Sequence, residues 1–243
     1  MYKSLAALLL LAPVCAWAQT SNDTIATATN PTPSSFVFGT GSCSGASIIY
    51  DTTHASTQGA EIAAAANGLA TGMADRIVLA GTDRFVCQVQ VEIFTLAAVT
   101  PFDLTMDFFT DCTTSGVGNT PCGNGTGTLI PLSTVTVTGI TPPVLGQIFA
   151  VNFPYPNLDL GGEGDNTISV SLHSSRSDTF WRIGETPVVG SLPAGDPPTS
   201  FVERCGSVGA NNGCSRNFGV NNNFSIQIQA NTTPVSLQSY SVE

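Results

Sequence analysis

Lysine is almost absent from this 243-residue chain: Lys3 is the only one, and six arginines bring the basic total to 7 against 17 acids. Affinity for phosphate rests on clustered Lys and Arg, so this balance argues against a nucleic-acid binder. Charged side chains of all kinds amount to 10%, against about 25% in an ordinary soluble domain. Disorder of the highly charged kind is excluded as well, because 42% of the residues are apolar. Histidine is scarce, with His54 and His173 alone. No Cys-x-x-Cys pair and no Gly-x-Ser-x-Gly elbow occurs, which removes the usual zinc and α/β-hydrolase signatures.

Long apolar runs are missing except at the start. Lys3 is followed by an apolar stretch from Leu5 to Val14, and Ala16-Trp17-Ala18 offers small residues where a signal peptidase reads. The run is shorter than the roughly 20 residues a membrane-spanning helix needs. Residues 1–18 therefore read as a signal peptide, and no membrane-spanning segment is expected in the mature chain. Without them the chain has 225 residues and six arginines against seventeen acids, a formal charge of −11. Such a balance disfavours docking on anionic lipid.

Six cysteines follow the leader: Cys43, Cys87, Cys112, Cys122, Cys205 and Cys214. An even number in an exported chain points to disulfides. The intervals Cys112–Cys122 and Cys205–Cys214 are rich in Gly, Asn, Ser and Thr and read as loops closed by bridges, which leaves Cys43 with Cys87 as the long-range pair.

Residues 19–35, with Asn30-Pro31-Thr32-Pro33, form a polar stretch without apolar periodicity and read as a flexible arm. Beyond it, a period of two recurs. Cys87, Val89, Val91 and Ile93 alternate with Gln88, Gln90, Glu92 and Phe94; Phe102, Leu104, Met106 and Phe108 alternate with Asp103, Thr105, Asp107 and Phe109. Val135–Thr138, Phe149–Phe153, Ile168–Leu172 and Phe224–Ile228 repeat the pattern. Ala-rich Glu61–Ala66 is read as one short helix or a surface loop. Many strands, frequent turn residues and at most one short helix predict an antiparallel all-β sandwich over residues 36–231, with a tail at 232–243.

Ala74-Asp75-Arg76-Ile77-Val78-Leu79-Ala80-Gly81-Thr82-Asp83-Arg84 leads into such a strand, with Ile48-Ile49-Tyr50-Asp51-Thr52 upstream and Thr179-Phe180-Trp181 and Phe224–Ile228 downstream. In these pieces the chain resembles the secreted jelly-roll domains of bacterial exosortase-sorted (PEP-CTERM) surface proteins. The resemblance implies a jelly roll at the cell exterior, in a family mostly without assigned activity. Residues 231–243 contain no Pro-Glu-Pro signal, apolar helix or basic tail, so exosortase anchoring is not expected and release or another surface association is.

Three site chemistries remain. Trp181, flanked by Asp178, Phe180 and Arg182, offers an indole face for sugar C–H groups with polar neighbours for hydroxyls, provided the indole is exposed; the competing reading is a core tryptophan. Asp159, Glu163 and Asp165 lie around Gly161, Gly162 and Gly164 and present hard oxygen ligands for a structural calcium, or serve as turn-forming acids. His173 shares the parity of Ser169 and Ser171 and is expected to face solvent, while His54 is expected in a loop over Asp51–Gln58. Asp103 and Asp107 stand about 13 Å apart along an extended strand, too far for paired-carboxylate glycoside hydrolysis.

The composite expectation is a secreted or surface-exposed protein, periplasm included, that is non-catalytic and engages an extracellular glycan or surface protein, or mediates adhesion. A secreted hydrolase acting on polysaccharide or ester, and a self-assembling surface subunit, are the alternatives.

Overall fold

The computed structural model describes residues 25–30, 33–34, 37–38, 43–53, 55–62, 73–97, 100–110, 128–161, 166–184, 186–193, 200–205, 212–217 and 223–232. The first strands in chain order are β1 (Ile25–Thr27), β2 (Val37–Phe38), β3 (Ser47–Asp51), β4 (Ala55–Glu61), β5 (Met73–Val78), β6 (Phe85–Thr95), β7 (Phe102–Thr110) and β8 (Val135–Ile140). There follow β9 (Phe149–Asp159), β10 (Thr167–Ser174), β11 (Thr179–Gly184), β12 (Ser200–Cys205), β13 (Asn212–Asn217), β14 (Asn223–Phe224) and β15 (Ile226–Asn231). No helix occurs among the described residues.

Two packed sheets make a β-sandwich. In one the order β4–β11–β6–β9 runs side by side, and in the other β5–β10–β7–β8, all antiparallel. Successive strands from β4 to β11 change sheet at every step except β7 to β8, which is the jelly-roll arrangement. β1, β2, β3, β14 and β15 enlarge the first sheet to nine strands, β2 joining β9 in parallel; β12 and β13 extend the second beyond β5.

The period of two decides which side chains meet. Val89, Val91 and Ile93 of β6 and Phe149, Val151 and Phe153 of β9 face Leu104, Met106 and Phe108 of β7 and Ile168, Val170 and Leu172 of β10 in one core. Ala55–Glu61, expected partly as a loop and partly as a helix start, is strand β4. Its Gly and Ala hide the pattern, yet small residues are what the packing against β11 and Phe94 requires. A Cβ on Gly59 would sit 2.6 Å from the Phe94 ring and 2.9 Å from the Trp181 carbonyl oxygen. Ala63–Ala66 lie outside the described residues.

Two features break the simple sandwich. β6 is long enough to hold two partners on one side: β11 pairs with its end at Ile93–Thr95, and β15 takes over from Val91 back to Phe85. Between them the sheet forks, and Ser225 bridges the gap by donating its N–H to the Arg182 carbonyl at 2.8 Å. The arm expected to be flexible is also paired where it is described. β1 adds to the β4 edge, the Asn30 N–H reaches the Gly146 carbonyl at 3.1 Å, and the Ser34 N–H reaches the Ile148 carbonyl at 2.8 Å. This strap closes a second small core in which Ala28 packs with Phe94, Ile148 and Phe180 on the sheet's outer side. Backbone pairing and these apolar contacts hold residues in which the sequence shows no apolar periodicity.

Candidate functional site

Strand alternation that feeds the core also builds the outer face of the nine-stranded sheet. Because Val89, Val91 and Ile93 point inward, Gln88, Gln90 and Glu92 point outward. Ile226 and Ile228 inward leave Gln227 and Gln229 outward on β15, and Val151 and Phe153 inward leave Asn152 outward on β9. Register then aligns four polar residues across four strands: Asp51 of β3 opposite Gln227, Gln227 opposite Gln90, and Gln90 opposite Asn152.

Hydrogen bonds organise this row. Gln227 Nε2 donates to Asp51 Oδ2 at 3.0 Å, Gln229 Nε2 to Gln227 Oε1 at 3.0 Å, and Gln90 Nε2 to Asn152 Oδ1 at 2.9 Å. Asp51 and Asn152 are buried, while Gln90, Gln227 and Gln229 are half-buried, so the amides are fixed without being sealed off. An amide offers two donors and two acceptor lone pairs. Among the described residues Gln90 Oε1 and Asn152 Nδ2 have no protein partner, so the row keeps both kinds of group to offer.

One step along the face, the fork carries a buried ion pair. Arg182 Nη1 donates to Glu92 Oε2 at 2.8 Å, its Nε donates to the Ser56 carbonyl at 2.8 Å, and Ser225 Oγ donates to the same Glu92 oxygen at 2.6 Å. Arg182 is 3% exposed and Glu92 8%, so both charges are largely out of water and are tolerable because each meets the other. On the inner side of the fork Trp181 Nε1 donates to the Ser225 carbonyl at 2.9 Å, and its ring stacks on Phe224 at 4.3 Å between centroids. Beneath, Asp75 Oδ2 accepts the Phe224 N–H at 3.2 Å, tying the two sheets together. Burial, and then the nearby Asp75 and Asp51 carboxylates, push the Tyr50 phenol well above its ordinary pKa.

The set Trp181, Phe180, Arg182 and Asp178 is therefore divided rather than gathered. Trp181 is 0% exposed and offers no face to a sugar; the expected carbohydrate contact is corrected to a core role, because inward parity on β11 places the indole against Phe224. Phe180 lies beneath the strap, its ring 5.2 Å from that of Phe94. Arg182 is taken by Glu92. Asp178, at φ +65° in the turn before β11, accepts from Arg176 Nε at 2.8 Å and Nη2 at 3.0 Å and from the Ala97 N–H at 2.9 Å. That is a turn-organising role.

Asp159 accepts the Gly161 N–H at 2.8 Å in a local turn, while Glu163 and Asp165 lie outside the described residues. His173 keeps the parity of Ser169 and Ser171 and reaches solvent as expected, its side chain 35% exposed, while both serines are fully buried and His173 Nδ1 lies 3.9 Å from Asp107 Oδ2. Asp107 also accepts from Thr134 Oγ1 at 2.6 Å, and Asp103 from the Gly139 N–H at 2.9 Å, so both acids hold β8 to β7. His54 lies outside the described residues. The Cys43–Cys87 disulfide is formed, with Cα atoms 5.7 Å apart. Cys112 and Cys122 fall outside the described residues. Cys205 and Cys214 sit on the β12–β13 hairpin, where the register sets Cys214 opposite Glu203; their side chains are not among those described.

The polar row itself was within partial reach of the sequence. Gln88, Gln90 and Glu92 are visible as the outward positions of a strand; that Asp51, Gln227 and Asn152 continue the row needs the register. Set against known families, curated proteins and solved structures, the chain finds no match.

Proposed function

We propose that this chain is an exported, non-catalytic surface or matrix protein that recognises a polar extracellular ligand, a glycan, on the outer face of its nine-stranded sheet. The observation that carries the reading is the cross-strand row Asp51–Gln227–Gln90–Asn152, whose members are held in place by one another. Fixed amide donors and acceptors suit hydroxyl-rich ligands, since little side-chain entropy is lost on binding. Glu92 is balanced by Arg182, which leaves Asp51 as the row's net charge. The face therefore suits neutral glycans and disfavours sulfated or uronate-rich ones. The resemblance to exosortase-sorted surface domains, the leader-like residues 1–18 and the Cys43–Cys87 disulfide support an exterior location.

A glycan array probed with the exported protein and with Gln90→Ala/Asn152→Ala tests this. Each lost hydrogen bond is worth about 1 kcal/mol, so the double variant should bind at least ~10-fold more weakly with its urea midpoint preserved. An array that retains no wild-type protein, or binding indifferent to the two substitutions, would refute the proposal.

A further inference from the structure

We infer that the free edge of β8 is a self-association surface on which a second copy of this chain adds its own β8. β8 is the last strand of its sheet. Among the described residues no backbone hydrogen bond joins its outer edge to another element. Exposed edges are ordinarily blunted by charge, proline or a covering segment, and other edges in this molecule show such devices. β9 carries Pro154 and Pro156 beyond its short pairing with β2. β3 is capped by an isolated bridge from Asp51 to Val189 and by the Ala80 N–H, which donates to the Ile49 carbonyl at 2.8 Å. β8 reads Val-Thr-Val-Thr-Gly-Ile, with no charge and no proline; a bulge at Thr138-Gly139, where Gly139 has φ +69°, interrupts its far end and leaves Val135–Val137 regular.

Three features single out a second copy as the occupant. The strand is self-complementary: an antiparallel two-fold that keeps the two faces of the sheet continuous sets threonine opposite threonine and valine opposite valine. Thr105 Oγ1 and Thr136 Oγ1 already form such a threonine pair at 2.8 Å across β7 and β8, a contact known to favour strand pairing. The neutral strand also avoids the like-charge repulsion that an acidic chain of net charge −10 would otherwise bring to self-contact. Lastly, four of the eight exposed large hydrophobics among the described residues bracket β8: Leu129 and Leu132 before it, Val144 and Leu145 after it. Antiparallel addition brings the Leu132 end of one copy beside the Val144–Leu145 end of the other. Leu132 is 92% exposed and held at φ +63°, in a turn that the Ser133 N–H closes onto the Ile130 carbonyl at 3.2 Å. Glycine would adopt that φ without strain, and contact with a second copy gives the strained, exposed leucine a use.

A six-residue edge is small beside the roughly 1,200 Å² that stable interfaces bury in total, so the dimer is expected to be concentration dependent. Sedimentation equilibrium of the purified exported protein should show a species of twice the monomer mass growing in with protein concentration. Thr138→Lys places a charge on an exposed position of β8 and should weaken dimerisation on the order of tenfold or more while leaving the urea midpoint in place. Leu132→Gly should weaken dimerisation while raising the urea midpoint, opposite shifts that misfolding cannot produce. A chain that stays monomeric up to ~1 mM, including one that instead takes up an added extended peptide along β8, overturns the inference. So does a dimer indifferent to Thr138→Lys.

Discussion

Removing the guanidinium at the fork tests how the divided sheet is held. In Arg182→Met the Glu92 carboxylate, 8% exposed, keeps one donor, Ser225 Oγ at 2.6 Å, and loses its counter-charge. Breaking one partner of a buried pair costs about 3–5 kcal/mol, and the Ser56 carbonyl loses the Arg182 Nε donor as well. Against a domain stability of about 5–15 kcal/mol this is a large fraction. Glu92→Gln leaves the opposite orphan, a buried guanidinium facing a neutral amide. The double variant leaves no buried net charge, and its loss should fall short of the summed single losses by about 2 kcal/mol or more. Urea denaturation followed by tryptophan fluorescence gives the values, with equal slopes required for comparison. The probe is local, because Trp181 donates to Ser225 within the same network. Single losses that add to within ~0.5 kcal/mol in the double variant would refute the coupling. An Arg182→Met loss below ~1 kcal/mol would show that the pair is solvated in solution.

Two further predictions concern the disulfide and the tyrosines. Cys43 and Cys87 are 44 residues apart, so a Cys43→Ser/Cys87→Ser chain should lose up to ~4 kcal/mol by the chain-entropy relation; a urea midpoint that stays put would show that the bridge adds no net stability. Burial, reinforced by Asp75 and Asp51 at Tyr50 and by Asp107 at Tyr155, raises both phenols well above their ordinary pKa. A folded-state pKa above the unfolded value stabilises fully below about pH 10 and loses that contribution as pH rises from there through the folded value. Ultraviolet titration should find Tyr50 and Tyr155 ionising only as the chain unfolds, and reversible ionisation of every tyrosine with the fold intact would contradict this.

Fold class was legible because a period of two survives in single strands. β6, β7 and β10 show it in Val89-Gln90-Val91, Leu104-Thr105-Met106 and Ile168-Ser169-Val170, and each inward set is found in the core. β4 was not legible, since Gly59 and Ala60 carry little apolar signal and are small because Phe94 and Trp181 press on them. Trp181 shows the other limit. Its neighbours Asp178 and Arg182 suggest a mixed polar surface, yet parity sends the indole inward and the guanidinium outward, and each then finds a partner more than forty residues away in sequence. Row and fork alike depend on registers between distant strands, which local pattern does not encode.

The shortage of lysine connects these observations. Lysine on an outward strand position does two things at once: it solvates the face and it discourages pairing along an edge. This chain has none after Lys3, so amides and hydroxyls carry the solvation, as Gln90, Gln227 and Gln229 do on one sheet and Thr136 and Thr138 do on β8. Amides and hydroxyls hydrogen-bond to one another across strands, whereas ammonium groups repel. A face solvated by them can therefore lock into rows, and an edge solvated by them keeps its capacity to pair. Edges without a positional device should then be the ones that associate, and the devices are proline on β9, the Val189 bridge on β3 and the strap strand β1 on β4. β8 has Thr136, Thr138 and Gly139 exposed, and among the described residues its device is the bulge at Thr138-Gly139, which leaves Val135–Val137 unprotected. Any fold that replaces surface lysine with amide and hydroxyl groups meets the same exchange: better-ordered polar faces, and edges that must be protected one at a time.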